Sequence, residues 1–112
     1  MEKAPLIALV LGSDSDLPQV EPALEILREF AVPHTVRILS AHRTPDQAAA
    51  FARSARADGL RVLVAVAGAA AHLGGVLAAH TDLPVIGVPM AATPLGGLDA
   101  LLSTVQMPAG VP

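Results

Sequence analysis

The stretch LIALVL, Leu6 to Leu11, followed at once by GSDSD, Gly12 to Asp16, decides the fold. Six consecutive apolar residues have the length and character of a strand buried on both faces, since a half-exposed strand alternates apolar with polar side chains. A polar, glycine-led turn ends the run. Val20, Leu24, Leu27 and Ala31 then keep helical spacing, with Leu17 at the start and Phe30 beside the stripe. Pro18 suits a first helical turn, whereas Pro22 falls inside the stripe and predicts either a kink or a late start, because an interior proline loses a hydrogen bond.

The unit of strand, loop and helix recurs. After Val32-Pro33, His34 to Leu39 reads as a second strand, with Val36 and Ile38 pointing one way and His34 and Arg37 marking a partly exposed edge. Ala48, Phe51, Ala52 and Ala55 then fall at i, i+3, i+4 and i+7, an amphipathic helix that Gly59 terminates. A third apolar strand, Leu60 to Ala67, leads through Gly68 to His72 into a helix from about Leu73 to His80 with Val76 and Leu77 inward. Leu83 to Val88 is the fourth strand, followed by a loop rich in proline and glycine from Pro89 to Gly97 and a helix whose apolar stripe is Leu98, Leu101, Leu102 and Val105. Met107 to Pro112 falls where a fifth strand would begin.

Four such units without an internal sequence repeat or a linker predict a single α/β domain over residues 1–112, a flavodoxin-like, doubly wound parallel sheet in three αβα layers with strand order 2-1-3-4. Ligands of such sheets bind outside the carboxyl ends of the strands, at the switch point beside the first strand. The loops there are Gly12 to Asp16, Ser40 to Pro45, Gly68 to His72 and Pro89 to Gly97, so the unusual polar residues of the chain fall on one rim.

Composition narrows the class. The chain is 53% hydrophobic and 15% charged, and alanine dominates the apolar set while Phe30 and Phe51 are the only aromatic residues, which predicts close helix-on-sheet packing or burial against further copies of the chain. A net charge of -3 without a basic run lacks the footprint of a nucleic-acid binder, and no Tyr or Trp offers a stacking platform. The absence of cysteine excludes disulfides and thiolate chemistry and fits a cytoplasmic protein, and the first residues lack the layout of a signal peptide. Val62 to Ala79 is apolar enough to suggest a membrane span, but His72 and three glycines interrupt it and its first part reads as strand, so no membrane partner is expected. Four histidines at unhelpful spacings predict no metal site.

The rim loops carry the chemistry. Within LSAHRTP, Leu39 to Pro45, His42 is a side chain that ordinarily titrates near ~6.5 and so both takes and gives a proton near neutrality, and Arg43 offers a cationic fork for phosphate. Thr44 reads as an N-cap, Pro45 as the first helical residue and Gln47 as the reciprocal capping partner. Ser13, Ser15 and the backbone N–H groups of their loop suit an anion beside the close-approach glycine Gly12, with Asp16 turned toward sugar hydroxyls; the same residues also make ordinary turns and caps. His72 reads as a buried or capping histidine ahead of a second acid or base.

Taken in order, GSDSD at Gly12 to Asp16, SAHRTP at Ser40 to Pro45, AAHL at Ala70 to Leu73, PVIGVP at Pro84 to Pro89 and VQMP at Val105 to Pro108 closely resemble the PurE family, N5-carboxyaminoimidazole ribonucleotide mutase of purine biosynthesis. The resemblance runs from about Leu6 to the last residue. It implies an octamer of flavodoxin-like domains that needs no cofactor or metal and moves a carboxylate from the exocyclic nitrogen of an imidazole ribonucleotide to ring carbon C4. By motif, His42 matches the general acid and base. Ser13, Asp16 and Arg43 match positions that hold the ribose phosphate, and Ser40 lines the same pocket. Gly68 and Leu73 match the loop that meets the aminoimidazole, and His72 matches a histidine near the base. Arg43 is similar to the mutase class, since the carboxylase class that uses free carbon dioxide usually has lysine there. A non-catalytic ribonucleotide-binding relative is the alternative from another class, and a flavin protein is remote because no aromatic residue sits on the rim.

The chain departs from the family pattern at Ala69, where Gly-Gly is common, at Gly74, where proline is usual, and at Gly96 or its neighbour, where asparagine is usual. A methyl group at Ala69 would crowd the site if the backbone there needs positive φ. Family members also continue past Val111-Pro112 with a further strand and a helix, so the resemblance implies a sheet without those elements and an exposed edge.

Overall fold

The computed structural model describes residues 4–111. At its centre, β1 (Ile7–Leu11) is buried on both faces: Ala8 and Val10 face one apolar cluster, Leu9 and Leu11 the other. It lies between β2 (His34–Ile38) and β3 (Val62–Gly68), with Leu9 opposite Val36 on one side and Val64 on the other, and β4 (Val85–Met90) completes the sheet beyond β3. All pairings are parallel and the order is β2-β1-β3-β4, as the succession of apolar runs and polar turns predicts. β2 is the expected edge strand, with Arg37 and Ile38 exposed.

Helices cover both faces. On one, α1 (Leu17–Glu29) sets Val20 and Leu24 against Leu9, Leu11 and Val66. On the other, α2 (Pro45–Ser54) and α3 (Leu73–Ala79) bury Ala48, Phe51, Ala52, Leu73 and Leu77 against Ala8, Val10, Leu63 and Ala65. Alanines at contact positions of α2 let its backbone approach the sheet closely, as the shortage of large side chains requires. α2 stops at Ser54, and the turn after it closes at Gly59 in the left-handed region, φ 94°, the expected end signal.

Several expectations need correction. α1 begins at Leu17 and runs on through Pro22, so it does not start late: Pro18 occupies the first turn, where its missing N–H has no helical partner to lose. Thr44 stands at the N-cap position of α2 but makes no side-chain cap bond, and the expected reciprocal bond with Gln47 is absent among the described contacts. One helix, α4 (Leu98–Val105), meets the sheet by a face that the sequence does not assign. Its leucine stripe does not face the sheet: Leu98, Leu101, Leu102 and Val105 are exposed, Val105 by 65%, while Ala100 is fully buried. Helical spacing identifies an apolar face without saying what it meets. Here the small face turns inward, and Thr104 shares a narrow gap with Ala65, Ala67 and Gly74.

Val62 to Ala79, apolar as it is, divides into β3 and α3, and no helix among the described residues is long and apolar enough to cross a membrane.

Candidate active site

Loops leaving the carboxyl ends of all four strands enclose a cavity of about 320 Å³. The β1 loop gives Ser13, Ser15 and Asp16, the β2 loop Ser40, His42 and Arg43, the β3 loop Gly68 through Ala70 and the start of α3, Leu73, and the β4 loop Ala92. Seven of the eight residues that the sequence nominates line this one space, and the eighth, His72, stands against His42 from outside the lining. A wider groove of about 560 Å³ at the other end of the sheet lacks such a group: Arg28 there is paired with Glu21 at 2.6 Å and His34 Nδ1 donates to the Val32 carbonyl.

The β2 loop is held by its own side chains. Ser40 Oγ accepts the backbone N–H groups of His42 at 3.2 Å and Arg43 at 3.0 Å. Thr44 Oγ1 accepts the Ser40 N–H at 2.9 Å and donates to the Ser40 carbonyl at 3.2 Å. This reciprocal clasp takes the hydroxyl that the sequence assigns to an N-cap, and it fixes the backbone that carries His42 and Arg43. Both side chains remain exposed, and among the described residues no carboxylate pairs with the Arg43 guanidinium, which leaves its donors open to an anion.

The β1 loop is a short 3₁₀ turn over Asp14–Asp16, capped by Ser13, whose Oγ accepts the Ser15 N–H at 3.2 Å and shares a hydrogen bond with Ser15 Oγ at 2.8 Å. A Cβ at Gly12 would meet only ordinary contacts with protein, so packing does not require glycine there. Asp16 is 5% exposed and makes no cap bond to α1; burial pushes its carboxyl above the usual carboxylate range. A carboxylate with a raised folded-state pKa opposes folding when ionised and ceases to do so once protonated. In Asp16→Asn, stability at pH 7 therefore rises, and the gain shrinks as pH falls into the carboxylate range; urea unfolding at pH 7 and at about pH 4 checks this.

The β3 loop carries strain where the family pattern differs. Ala69 has φ 52°, a left-handed conformation that disfavours any Cβ. Ala69→Gly is expected to raise stability by roughly 1 kcal/mol, read from the denaturation midpoint, after allowance for the greater freedom of glycine in the unfolded chain. Ala92, which completes the wall, went unrecognised in the sequence because a small apolar residue in a proline-rich loop carries no chemical mark; its signal lies only in its contact with Gly68. Among the described residues no group of three or more His, Cys, Asp or Glu is placed to hold a metal ion.

The deciding comparison is with the sequence profile described as AIR carboxylase, which matches residues 6–112, all four strands and every rim loop. The chain belongs to the AIR carboxylase family. An N5-carboxyaminoimidazole ribonucleotide mutase from Pyrococcus horikoshii is 54% identical over 108 residues, which are 96% of this chain and 61% of that protein. A phosphoribosylaminoimidazole carboxylase from Schizosaccharomyces pombe is 54% identical over 110 residues, 98% of this chain and 20% of its own length. The chain thus spans about three fifths of the archaeal relative and one fifth of the fungal one. Among solved structures, PurE from Treponema denticola superposes with a TM-score of 0.85 at 27% identity, covering 96% of this chain and 68% of that one. The four strands of this chain and their rim loops therefore correspond to the matched part of that fold.

Proposed function

We propose that this family member interconverts N5-carboxyaminoimidazole ribonucleotide and its C4-carboxylated isomer in purine biosynthesis. The observation that carries the reading is that one cavity brings together His42, Arg43, Ser13 and Asp16, a proton carrier and an anion-binding group beside hydroxyl-binding ones, on loops from separate strands. Arg43 and the Ser13 loop hold the ribose phosphate, with Asp16 toward the sugar hydroxyls and Ser40 lining the same space. Gly68 and Leu73 bound the part that takes the aminoimidazole. The bond between the carboxylate and the exocyclic nitrogen breaks, carbon dioxide is held in the cavity, and the nitrogen takes a proton from His42. C4 then attacks the carbon dioxide, and the proton displaced from C4 returns to His42. One proton has moved from carbon to nitrogen, and the histidine ends as it began.

Relatives named mutase and relatives named carboxylase are equally similar to this chain, so identity alone does not separate the two reactions. Arg43, in place of the lysine usual in the carboxylase class, supports the mutase. The exposed leucines of α4 support a homo-oligomer, with the octamer as the family's form, and a cytoplasmic setting goes with a soluble ribonucleotide as partner. The test follows ultraviolet absorbance as the purified chain meets either the N5-carboxylated compound or aminoimidazole ribonucleotide with bicarbonate. Faster conversion of the first supports the mutase and of the second the carboxylase; binding without conversion of either assigns a ribonucleotide-binding module.

A further inference from the structure

The contact that the proposed function does not use is the one between two histidines thirty positions apart in the chain. His42 Nε2 lies 2.8 Å from His72 Nδ1, with the rings nearly perpendicular at 78° and their centroids 5.0 Å apart. His72 immediately precedes α3, and its ring is outside the cavity lining while that of His42 is part of it. Asp16 and Arg43 are the charged side chains that line the cavity beside His42, and neither bonds to either ring among the described contacts.

A single hydrogen occupies the space between Nε2 and Nδ1, so the two tautomers are not independent. If His72 were the donor, neutral His42 would carry its own hydrogen on Nδ1 and have no free nitrogen with which to take a proton. If His42 is the donor, its Nδ1 has a lone pair in the neutral ring and a hydrogen in the charged ring, and the bond to His72 is kept in both states. Only the second arrangement lets His42 act as acid and base in turn without breaking the contact. The geometry points to His72 as a positioning residue: its Nδ1 accepts the Nε2–H of His42, fixes that ring's tautomer and orientation, and makes Nδ1 the nitrogen that exchanges protons with substrate. A third group that orients a catalytic base is a recurring device, here built from a neutral imidazole instead of a carboxylate. Doubly charged, the pair would set two N–H groups against each other, so it retains its bond only while at most one of the rings is charged.

The inference rests on the proposed role of His42, and its test separates the two. His72→Asn places an amide oxygen where Nδ1 stood and keeps an acceptor, whereas His72→Leu keeps bulk and removes it; neither variant titrates at that position. In uniformly ¹⁵N-labelled protein without substrate, histidine ring spectra across pH are expected to show the His42 titration midpoint at lower pH in the leucine variant than in the asparagine variant, since a charged His42 then lacks its acceptor. In turnover, the leucine variant is expected to lose roughly 10- to 100-fold in kcat with KM within about 2-fold, the size of a hydrogen bond to a charged group, while asparagine recovers most of that loss. Coincident His42 titrations in the two variants would overturn the inference and leave the rings as mere packing neighbours. If the unaltered chain proves inactive, the proposed function fails, yet the titrations still decide the pairing.

Discussion

In His42→Asn, turnover of the N5-carboxylated ribonucleotide falls by roughly 10²- to 10⁴-fold, the range that a positioned acid and base supplies. Binding of the ribonucleotide is retained, because the groups assigned to its phosphate and sugar, Arg43, Ser13 and Asp16, stand on residues the change does not touch, and the backbone N–H of residue 42 keeps its bond to Ser40 Oγ. Asparagine is polar and smaller than histidine, and position 42 is exposed, so the loop has no cavity to collapse into. Absorbance assays give the rate and calorimetry the affinity. A variant with near-native rate would remove His42 from the chemistry, and so would a flat rate profile from about pH 5 to 9, since a rate that requires this histidine to begin each turnover in one protonation state falls once the other state prevails.

The second large effect is structural. In Gly68→Ala, the new Cβ would stand 2.6 Å from the Cβ of Ala92 and 3.3 Å from the Met90 carbonyl oxygen. Neither neighbour can rotate away, because a Cβ and a carbonyl are fixed to the backbone. The β4 loop must therefore move outward, with an expected loss of about 1–3 kcal/mol in stability, typical of overpacking. Since Ala92 and Gly68 form adjoining walls of the cavity, ribonucleotide affinity falls as well. The double variant Gly68→Ala, Ala92→Gly removes the shorter contact and is expected to recover a large part of the stability, measured by urea unfolding. Equal stability of the single variant and the parent would mean that the β4 loop yields without resistance.

Much of this was readable from residues alone, for physical reasons that differ by element. β1 announced itself because burial on both faces demands an unbroken apolar run, and Leu6 to Leu11 has no other use. The rim was readable because polar residues crowd the strand-to-helix turns, and chain direction in a parallel sheet sends every such turn to one end. The substrate was not readable from spacing; only the likeness of five ordered motifs suggested it. The orientation of α4 was not readable, because periodicity gives a stripe's position on the helix and not its neighbour: Thr104 lines the gap beside Gly74 and Ala100 is buried, while the leucines face outward. The Thr44 hydroxyl turned back to Ser40 because that backbone N–H and carbonyl lie within its reach. The bond between His42 and His72 joins two loops that meet only when β1 and β3 pair, so no local pattern announces it.

The strand order also sets a schedule. β1 leaves the ribosome first, but its pairing with β3 waits until Val62 and the residues after it have been made, and only its edge partner β2 is available sooner. Until then the chain has two paired strands with α1 and α2 to cover them, and a short sheet needs a third strand or a packed face to persist in water. Docking of β3 therefore closes the longest loop between paired strands, the kind of non-local pairing whose closure entropy slows folding. The nascent chain passes through that interval with the apolar edge of β1 open to any other strand.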